Sequence, residues 1–411
     1  MTVLVPFGIG YYMSYLFRTV NAIISPQLVS EVGLTPSALG LMTAAYFITF
    51  ALVQLPLGII LDRYGPRKVQ AALLMFAALG AGMFALGTNA FTLIIGRGLV
   101  GIGVSACLMA ALKANVLWFP RDKIPLVNGV IFAFGTVGAL STTVPLELLI
   151  QTVDWRTVFW WLAGMSVLSG VCIYLFVPEF VSTKPPGAVS EKVDGQFAFT
   201  TQLADLKLVY GSAFFWRLSC MIFLHNGVFL SYQALWAAPW LRDVAGLDRS
   251  GVADAMFMFH AGMLVGVLSI GLVAERLQKL GVSTIVPAVT GIALSLGVQC
   301  LFAAGWASYP SLLCLAFGYF GSTATLGYAV MNQKFPKKLT GRVNTAQNML
   351  TFFAAFATQW LVGVIIGLYP SPGAGLYSPE GHQAALLVFI GIELAGFIYF
   401  VWPRHTAEPS P

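Results

Sequence analysis

The sequence SALGLMTAAYFITFALVQLPLGIILDRYGPRKVQAALLMFAALGAGMFALGT, residues 37–88, decides the fold. Its two apolar runs, 37–61 and 69–88, each have the length of a membrane-spanning helix, which needs about 20 predominantly apolar residues. Residues 62–68, DRYGPRK, hold every charge in the stretch. The pattern predicts two antiparallel membrane helices joined by a short charged loop.

The same alternation continues along the whole chain. Of its 411 residues 58% are hydrophobic and 9% are charged, whereas soluble domains carry about 25% charged residues. This composition excludes a soluble globular protein, a disordered chain and a nucleic-acid-binding surface. We predict an all-α membrane protein with about twelve transmembrane helices. The predicted spans are 5–29, 37–61, 69–88, 91–117, 126–150, 156–177, 214–239, 251–274, 283–303, 309–332, 342–368 and 383–402.

The twelve predicted spans divide into two sets of six. Residues 1–177 are predicted to form an N-terminal six-helix bundle and residues 214–411 a C-terminal one. The long polar segment between them, 178–213, is predicted to be a cytoplasmic linker. A duplicated membrane unit carries the same short loop motifs at matching positions in both copies. The division into two halves therefore predicts internal repeats.

Two short motifs recur in the two halves. GIILDR at 58–63 corresponds to GLVAER at 271–276, and FPR at 119–121 corresponds to FPK at 335–337. Both copies of each motif fall on the same side of the predicted bilayer, which indicates a parallel repeat about an axis along the membrane normal. This arrangement predicts a cavity between the two bundles.

The distribution of basic residues predicts the orientation. Sixteen of the 22 Lys and Arg fall on one set of loops, and three, Arg156, Arg242 and Arg249, fall on the other. Basic residues collect on the cytoplasmic side of membrane proteins. We therefore expect both termini to be cytoplasmic in a multi-pass protein of the plasma membrane.

The loop after the second span resembles the signature loop of the major facilitator superfamily. The residues that carry the resemblance are Gly58, Asp62, Arg63, Gly65, Arg67 and Lys68. Arg97-x-x-x-Gly101-x-Gly103 in the fourth span is similar to a second motif of that family. The resemblance implies a secondary transporter that works by alternating access, here in a bacterial inner membrane, with spans 3, 6, 9 and 12 at the periphery.

One departure from the family concerns the fifth span. Proton-antiporting members commonly carry a Gly-Pro pair there, whereas this chain has Gly129, Gly135, Gly138 and Pro145 without that pair. The departure weakens an assignment to drug-type antiport. The motifs recur across substrate classes, so they do not identify the substrate.

We expect the signature loop to act in gating, through charged contacts across the seam that form in one state and break in the other. The alternative is that its basic residues only retain the loop on the cytoplasmic side. Arg97 and Glu147 lie near the outer ends of the fourth and fifth spans and are predicted to pair. Such a pair suits a gate, a proton relay or a static brace.

Arg18 is the most informative residue, because it lies midway along the first span, where an unpaired cation costs several kcal/mol. Tyr11, Ser14, Asn21 and Ser25 share its face at helical spacing. We predict that this polar stripe lines the cavity and that Arg18 and Asn21 bind an anionic group. A structural arginine satisfied by a carboxylate or by carbonyl groups is the alternative.

Further substrate contacts are predicted from polar residues in other spans. Lys113 is either a second anion contact or a lysine that reaches water at the end of the fourth span. Tyr46, Tyr319 and Asn348 are supporting candidates, although small polar groups also serve helix packing.

The seventh span carries a second candidate cavity face of His225, Asn226 and Tyr232. Because histidine titrates near neutral pH, His225 is a candidate for the coupling proton; a satisfied core histidine is the alternative. Glu393 lies centrally in the twelfth span without an obvious partner. It is either a proton carrier or a neutral acid in helix packing.

These residues favour a proton-linked carrier, such as a symporter, for a small organic anion or anionic metabolite. The alternatives are a proton-driven efflux antiporter for amphiphilic compounds and a non-transport receptor or scaffold. No His-Glu-x-x-His or Gly-x-Ser-x-Gly motif occurs, so we expect neither an enzyme nor a metal or other cofactor. The expected partners are the substrate, protons and the lipid bilayer, with no nucleic acid, and the expected state is a monomer.

Overall fold

The fold is that of a computed structural model, which describes residues 2–179, 206–336, 339–373 and 375–402. The helices before residue 180 are α1 (Leu4–Val32), α2 (Pro36–Ala85), α3 (Ala90–Val104), α4 (Cys107–Trp118), α5 (Ile124–Ser141), α6 (Val144–Leu149) and α7 (Trp155–Phe176). Those after residue 205 are α8 (Ala213–Ser231), α9 (Ala237–Asp243), α10 (Arg249–Lys279), α11 (Ile285–Ala303), α12 (Pro310–Gly321), α13 (Leu326–Lys334), α14 (Thr340–Gly367) and α15 (Pro379–Val401). We call these two groups of helices the first and the second half.

The prediction of an all-helical membrane protein is confirmed. Among the described residues, nine helical segments are long and apolar enough to cross a membrane. The predicted twelve spans also include α1, with 29 residues and the polar stripe, the second arm of α2, and the shorter apolar helix Leu126–Ser141. The fold therefore has nine to twelve membrane helices.

The predicted loop at 62–68 is shorter than expected. The residues before and after Gly65 are helical, so that α2 runs for 50 residues. Gly65 is its one non-helical residue, with φ 76° and ψ 158°. This backbone conformation is essentially restricted to glycine. Pro66 follows directly and starts the second arm, since proline is favoured at the first position of a helix.

Four predicted spans are interrupted near their middle. α3 ends before α4, and α5 ends before α6; a π-helical turn (Tyr232–Trp236) joins α8 to α9, and a 3-10 turn (Ser322–Thr325) joins α12 to α13. At three of these breaks a hydroxyl donates to a carbonyl three residues earlier: Ser105 to Ile102, Thr142 to Ala139 and Ser322 to Tyr319. Such bonds satisfy backbone groups that a bilayer cannot hydrate.

The two halves meet at an interface that we call the seam, where α2 packs on α14, α1 packs on α9, and α5 and α6 pack on α10. At one end, a Cβ added to Gly40 would lie 2.8 Å from the carbonyl oxygen of Gln359, and one added to Gly363 would meet the carbonyl of Pro36. Further along, the rings of Phe50 and Phe352 lie 4.2 Å apart between centroids. Glycine thus permits a close backbone approach at one end, and aromatic rings fill the middle.

The predicted linker lies mostly outside the described residues, which omit 180–205. Its described end leads into α8, where the side chain of Ser212 accepts a hydrogen bond from the N–H of Phe215. This N-cap places the start of α8 one residue before the predicted start of the seventh span.

We expect Gly65→Ala to lower the free energy of unfolding by about 1–3 kcal/mol, because alanine is strained at this φ and ψ. The measurement is the thermal unfolding temperature of the purified protein in detergent. Gly271→Ala is the matched control, because Gly271 lies in α10 with open space around it and no positive φ. An equal loss in both variants would contradict the strain explanation.

Candidate functional site

Arg18 lies at the seam with its charge unneutralised. Its side chain is 7% exposed, and the guanidinium carbon lies 4.6 Å from the ring centroid of Tyr15 and 5.6 Å from that of Phe352 in α14. Its Nε is buried without a hydrogen-bond partner. Within the described ranges no Asp or Glu forms an ion pair with it. The cation therefore rests on aromatic faces, which attract but do not neutralise it.

Two other predicted residues lie beside Arg18 in the first half. Tyr46 is close enough to interact with it electrostatically, and its hydroxyl donates to the carbonyl of Ser14 at 3.4 Å. The Asn21 Nδ2 donates to Thr43 Oγ1 at 3.0 Å, whereas Asn21 Oδ1 is buried without a partner. The polar stripe of α1 thus faces α2 and the seam.

The predicted pairing of Arg97 with Glu147 is wrong. Arg97 is fully buried, its Nη1 donates to the carbonyl of Phe17 at 2.6 Å, and its guanidinium carbon lies 5.2 Å from the ring centroid of Tyr46. The rotation of α3 turns the side chain towards α1 and α2. Arg97 therefore packs against the ring of Tyr46 within the first half.

Glu147 instead pairs across the seam. Its Oε1 lies 3.3 Å from the Nε of Arg249 at the start of α10, and the two side chains are 5% and 52% exposed. The break between α5 and α6 brings Glu147 to this position. A small cavity next to this pair is lined by Glu147 and Arg249 together with Ser25 and Arg242. We call this end of the seam, with Gly40 and Gly363, the closed end.

The signature-loop residues form contacts within the first half. Lys113 Nζ lies 2.6 Å from Asp62 Oδ1 and donates to the carbonyl of Leu61. The Nε of Arg67 donates to the carbonyl of Tyr174 at 2.9 Å. These groups line a cavity of about 450 Å³ together with Arg63 and Lys68. The predicted contacts of this loop across the seam are not formed among the described residues of this conformation.

Lys68 lies at the edge of the same cavity and pairs with Glu179 at 2.6 Å. Its ammonium donates a hydrogen bond that lowers the pKa of the Glu179 carboxyl, and both side chains are exposed. Lys113, predicted as a second anion contact, is engaged by Asp62 rather than placed beside Arg18.

His225 and Glu393 contact each other inside the second half. His225 Nδ1 lies 2.9 Å from Glu393 Oε2, and its Nε2 lies 3.3 Å from the carbonyl oxygen of Gly321. Gln299 Nε2 donates to the same carboxyl oxygen at 3.1 Å. The expectation that Glu393 has no obvious partner is therefore wrong, and His225 faces α15 and α12 rather than Arg18.

The remaining predicted contacts lie in separate places in the second half. Tyr232 packs against the rings of Phe302 and Phe317, and its hydroxyl is buried without a partner. The hydroxyl of Tyr319 accepts from Ser269 at 3.3 Å, and Asn348 Oδ1 accepts from Tyr328 at 3.5 Å. Asn226 is half-buried on α8.

The structure thus brings Arg18, Asn21 and Tyr46 together and adds two residues that sequence reasoning missed. Tyr15 lies three residues before Arg18, a helical spacing that could have identified it. Phe352 belongs to the other half, and no local pattern connects it to α1.

Several known proteins are similar to this chain. Residues 7–359 match the model of the Major Facilitator Superfamily. The chain is 22% identical to the probable sulfoacetate transporter SauU of Cupriavidus necator, over 66% of this chain and 63% of that protein. It is 22% identical to the hexuronate transporter of Escherichia coli K12, over 87% of this chain and 85% of that protein. It is 26% identical to the chloramphenicol resistance protein of Streptomyces lividans, over 61% of each.

The fold also has solved counterparts. One is the crystal structure of a bacterial homologue of the human lysosomal transporter Spinster in an inward-facing and occupied conformation. The TM-score is 0.74 at 15% identity, covering 97% of this chain and 95% of that one. At this identity the likeness concerns the fold.

Neutralising either member of the Glu147–Arg249 pair should loosen the closed end. Because Arg249 is half exposed, the pair contributes about 1 kcal/mol, which corresponds to about a fivefold change in the open population. We expect Glu147→Gln or Arg249→Gln to raise the labelling rate of an Ala22→Cys reporter by a water-soluble maleimide by about fivefold. Ala22 is buried and lines this cavity.

The double charge exchange, Glu147→Arg with Arg249→Glu, should restore slow labelling. Lys279→Gln is the matched control, because it removes an exposed ion pair with Glu275 away from the seam. Equal labelling in all of these variants would show that the pair does not hold the closed end.

Proposed function

Because the chain belongs to the major facilitator superfamily and is therefore a secondary transporter rather than an enzyme, we propose that it carries a small organic anion across the membrane, with Arg18 as the anion contact. The single observation that carries this proposal is the buried guanidinium of Arg18 at the seam, without a carboxylate partner among the described residues.

Within the described part of the chain, Arg18 has an unpaired charge in a membrane-spanning helix. An ionisable side chain inside the bilayer costs several kcal/mol unless it is paired, and such residues mark substrate pathways. A carboxylate, sulfonate or similar group at Arg18 would supply the missing charge and accept two parallel hydrogen bonds from the planar guanidinium. The rings of Tyr15 and Phe352 hold the guanidinium from both halves, so a bound anion would lie where both halves contribute.

The relatives support this substrate class. Sulfoacetate and hexuronates, which two relatives are named for, are organic anions. The alternative of a drug-efflux antiporter has one named relative in the chloramphenicol resistance protein. A cationic amphiphile would need a free acid at the seam, whereas Glu147 there is paired with Arg249. This pairing favours the anion.

We further propose how the chain is organised around this site. The bundles 1–177 and 214–411 rock about Arg18, joined by a cytoplasmic linker at 178–213, with both termini in the cytoplasm. Symport with protons drives uptake into a bacterial cell, and a monomer suffices. Asp62 and the basic residues of the signature loop act as the gate at the end opposite to the Glu147–Arg249 pair.

Ligand binding tests the role of Arg18. We expect D-glucuronate or sulfoacetate to raise the unfolding temperature of the wild-type protein, since a ligand at 100 times its Kd stabilises by about 2.7 kcal/mol. The shift should disappear in Arg18→Gln and be reduced in Arg18→Lys, because an ammonium keeps the charge but loses the bidentate geometry. The measurement is a thermal-shift titration in detergent.

Tetraphenylphosphonium, a lipophilic cation, serves as the contrasting ligand. Stabilisation by this cation that persists in Arg18→Gln, without stabilisation by either anion, would overturn the anion proposal in favour of efflux. Arg18→Lys guards against a folding defect, because it retains the positive charge at the seam.

Asp62→Asn tests the proposed gate. Asp62 is exposed, so its pair with Lys113 contributes at most about 1 kcal/mol to folding. We expect normal membrane insertion but a transport rate at least about fivefold lower. A contact that couples the gate to the conformational change contributes at least about 1 kcal/mol, which corresponds to this factor. Lys279→Gln, which removes an exposed ion pair with Glu275 outside the signature loop, is the matched control and should transport normally. Equal flux in Asp62→Asn and wild type would contradict gating.

A further inference from the structure

The second half contains a buried titratable pair that anion binding at Arg18 does not use. The side chains of His225 and Glu393 are each 1% exposed and come from α8 and α15. Gln299 of α11 donates to the carboxyl group, and the carbonyl of Gly321 at the end of α12 faces the imidazole. Four helices therefore converge on one imidazole–carboxyl contact.

The hydrogen-bond partners determine how many protons this pair holds. A carbonyl oxygen only accepts, so the contact between His225 Nε2 and Gly321 requires a hydrogen on Nε2. The contact between Nδ1 and Glu393 Oε2 requires a second hydrogen, on either the nitrogen or the oxygen. The pair thus holds two protons, one more than a neutral imidazole beside a carboxylate.

The extra proton also balances the charge. With two protons the pair is net neutral, either as imidazolium and carboxylate or as neutral imidazole and carboxylic acid. With one proton it carries a charge of −1, and if Nδ1–H keeps the contact with Glu393, Nε2 loses its donation to Gly321. A net charge on the pair inside the bilayer costs several kcal/mol, so a charge elsewhere in the interior has to compensate the loss of the second proton.

The helix that holds Gly321 becomes irregular directly after it, and the helix that holds His225 becomes irregular about two turns further on. α8 continues from His225 into the π-helical turn Tyr232–Trp236, and Gly321 directly precedes the 3-10 turn Ser322–Thr325. Such irregular turns are frequent at functional sites and hinges. Trp236 Nε1 then donates to the carbonyl of Gln359, the residue that Gly40 approaches at the closed end of the seam.

Of the other titratable side chains near the pair, neither Tyr232 nor His260 forms a hydrogen bond with it. Tyr232 of the same helical segment lies near Glu393, with its hydroxyl buried and unpartnered. His260 of α10 is separately bonded through Nδ1 to the carbonyl of Met256. From α14, Ala354 meets α8 at Gly227 without a charged group.

We propose that His225 and Glu393 together bind the proton that drives anion transport, and that the carbonyl of Gly321 senses its release. This assignment rests on the proposed function. When the proton leaves, the bond from His225 to α12 is lost, and the change passes along α8 to the Trp236–Gln359 contact at the closed end.

Proton-driven uptake of D-glucuronate into proteoliposomes tests the assignment. A pH difference of about one unit, acid outside, can drive about tenfold accumulation when one proton accompanies each anion. We expect the wild-type protein to reach this accumulation, and His225→Gln and Glu393→Gln only to equilibrate the anion. Both variants should keep exchange of internal for external D-glucuronate, which needs no net proton movement.

His260→Gln is the matched control, because it replaces another fully buried histidine of the same half. Loss of accumulation in the two pair variants but not in this control supports the proposal. Accumulation by either pair variant at the wild-type level overturns it and leaves the anion carrier intact. Loss of exchange as well in both pair variants, with normal protein yield, also overturns it, because the pair would then be needed for anion binding or movement.

Infrared difference spectroscopy between acidic and alkaline pH measures the proton site without a substrate. The wild-type protein should show loss of a carboxylic acid or imidazolium band that is absent in Glu393→Gln and His225→Gln and present in His260→Gln. If D-glucuronate neither binds nor is transported, the proposed function fails for that anion, and this spectrum alone decides the proton site. A spectrum unchanged by both pair substitutions overturns the proposal.

Discussion

An ionised side chain inside a bilayer has to find its counter-charge within the protein, and this constraint organises the interior of the chain. Glu147 finds Arg249 across the seam, and Glu393 finds His225 within the second half. Arg18 and Arg97 are different, because the described residues offer neither of them a carboxylate: Arg97 donates to the carbonyl of Phe17, and Arg18 rests on two aromatic rings. Of the two, Arg18 lies where the two halves meet, which is where a carrier has to receive its substrate.

Features that depend on local sequence could be predicted. Helix positions follow from the length of the apolar runs, and the stripe that contains Arg18 and Asn21 follows from helical spacing. The charged loop between the second and third spans follows from the charges at 62–68, and the structure narrows it to Gly65, whose φ of 76° favours glycine. These inferences needed no knowledge of how one helix packs on another.

Features that depend on helix rotation could not be predicted. Arg97 and Glu147 lie at matching depths in neighbouring spans, yet the rotation of α3 and the break before α6 turn them apart. Glu393 lies 168 residues from His225, and only the packing of α15 on α8 joins them. In the same way Phe352 reaches Arg18 only through the contact of α14 with α2, which no periodicity encodes.

The unneutralised guanidinium of Arg18 and the proton count of the His225–Glu393 pair together give a rule for stoichiometry. A monoanion at Arg18 changes the charge of the interior by −1, and a proton at the pair changes it by +1. With both ligands bound the interior therefore has the same charge as with neither bound. Either ligand alone changes the charge that has to cross the bilayer by one unit, which is costly. Tight one-to-one coupling without slippage would then follow from charge balance between the halves, with no mechanical interlock required.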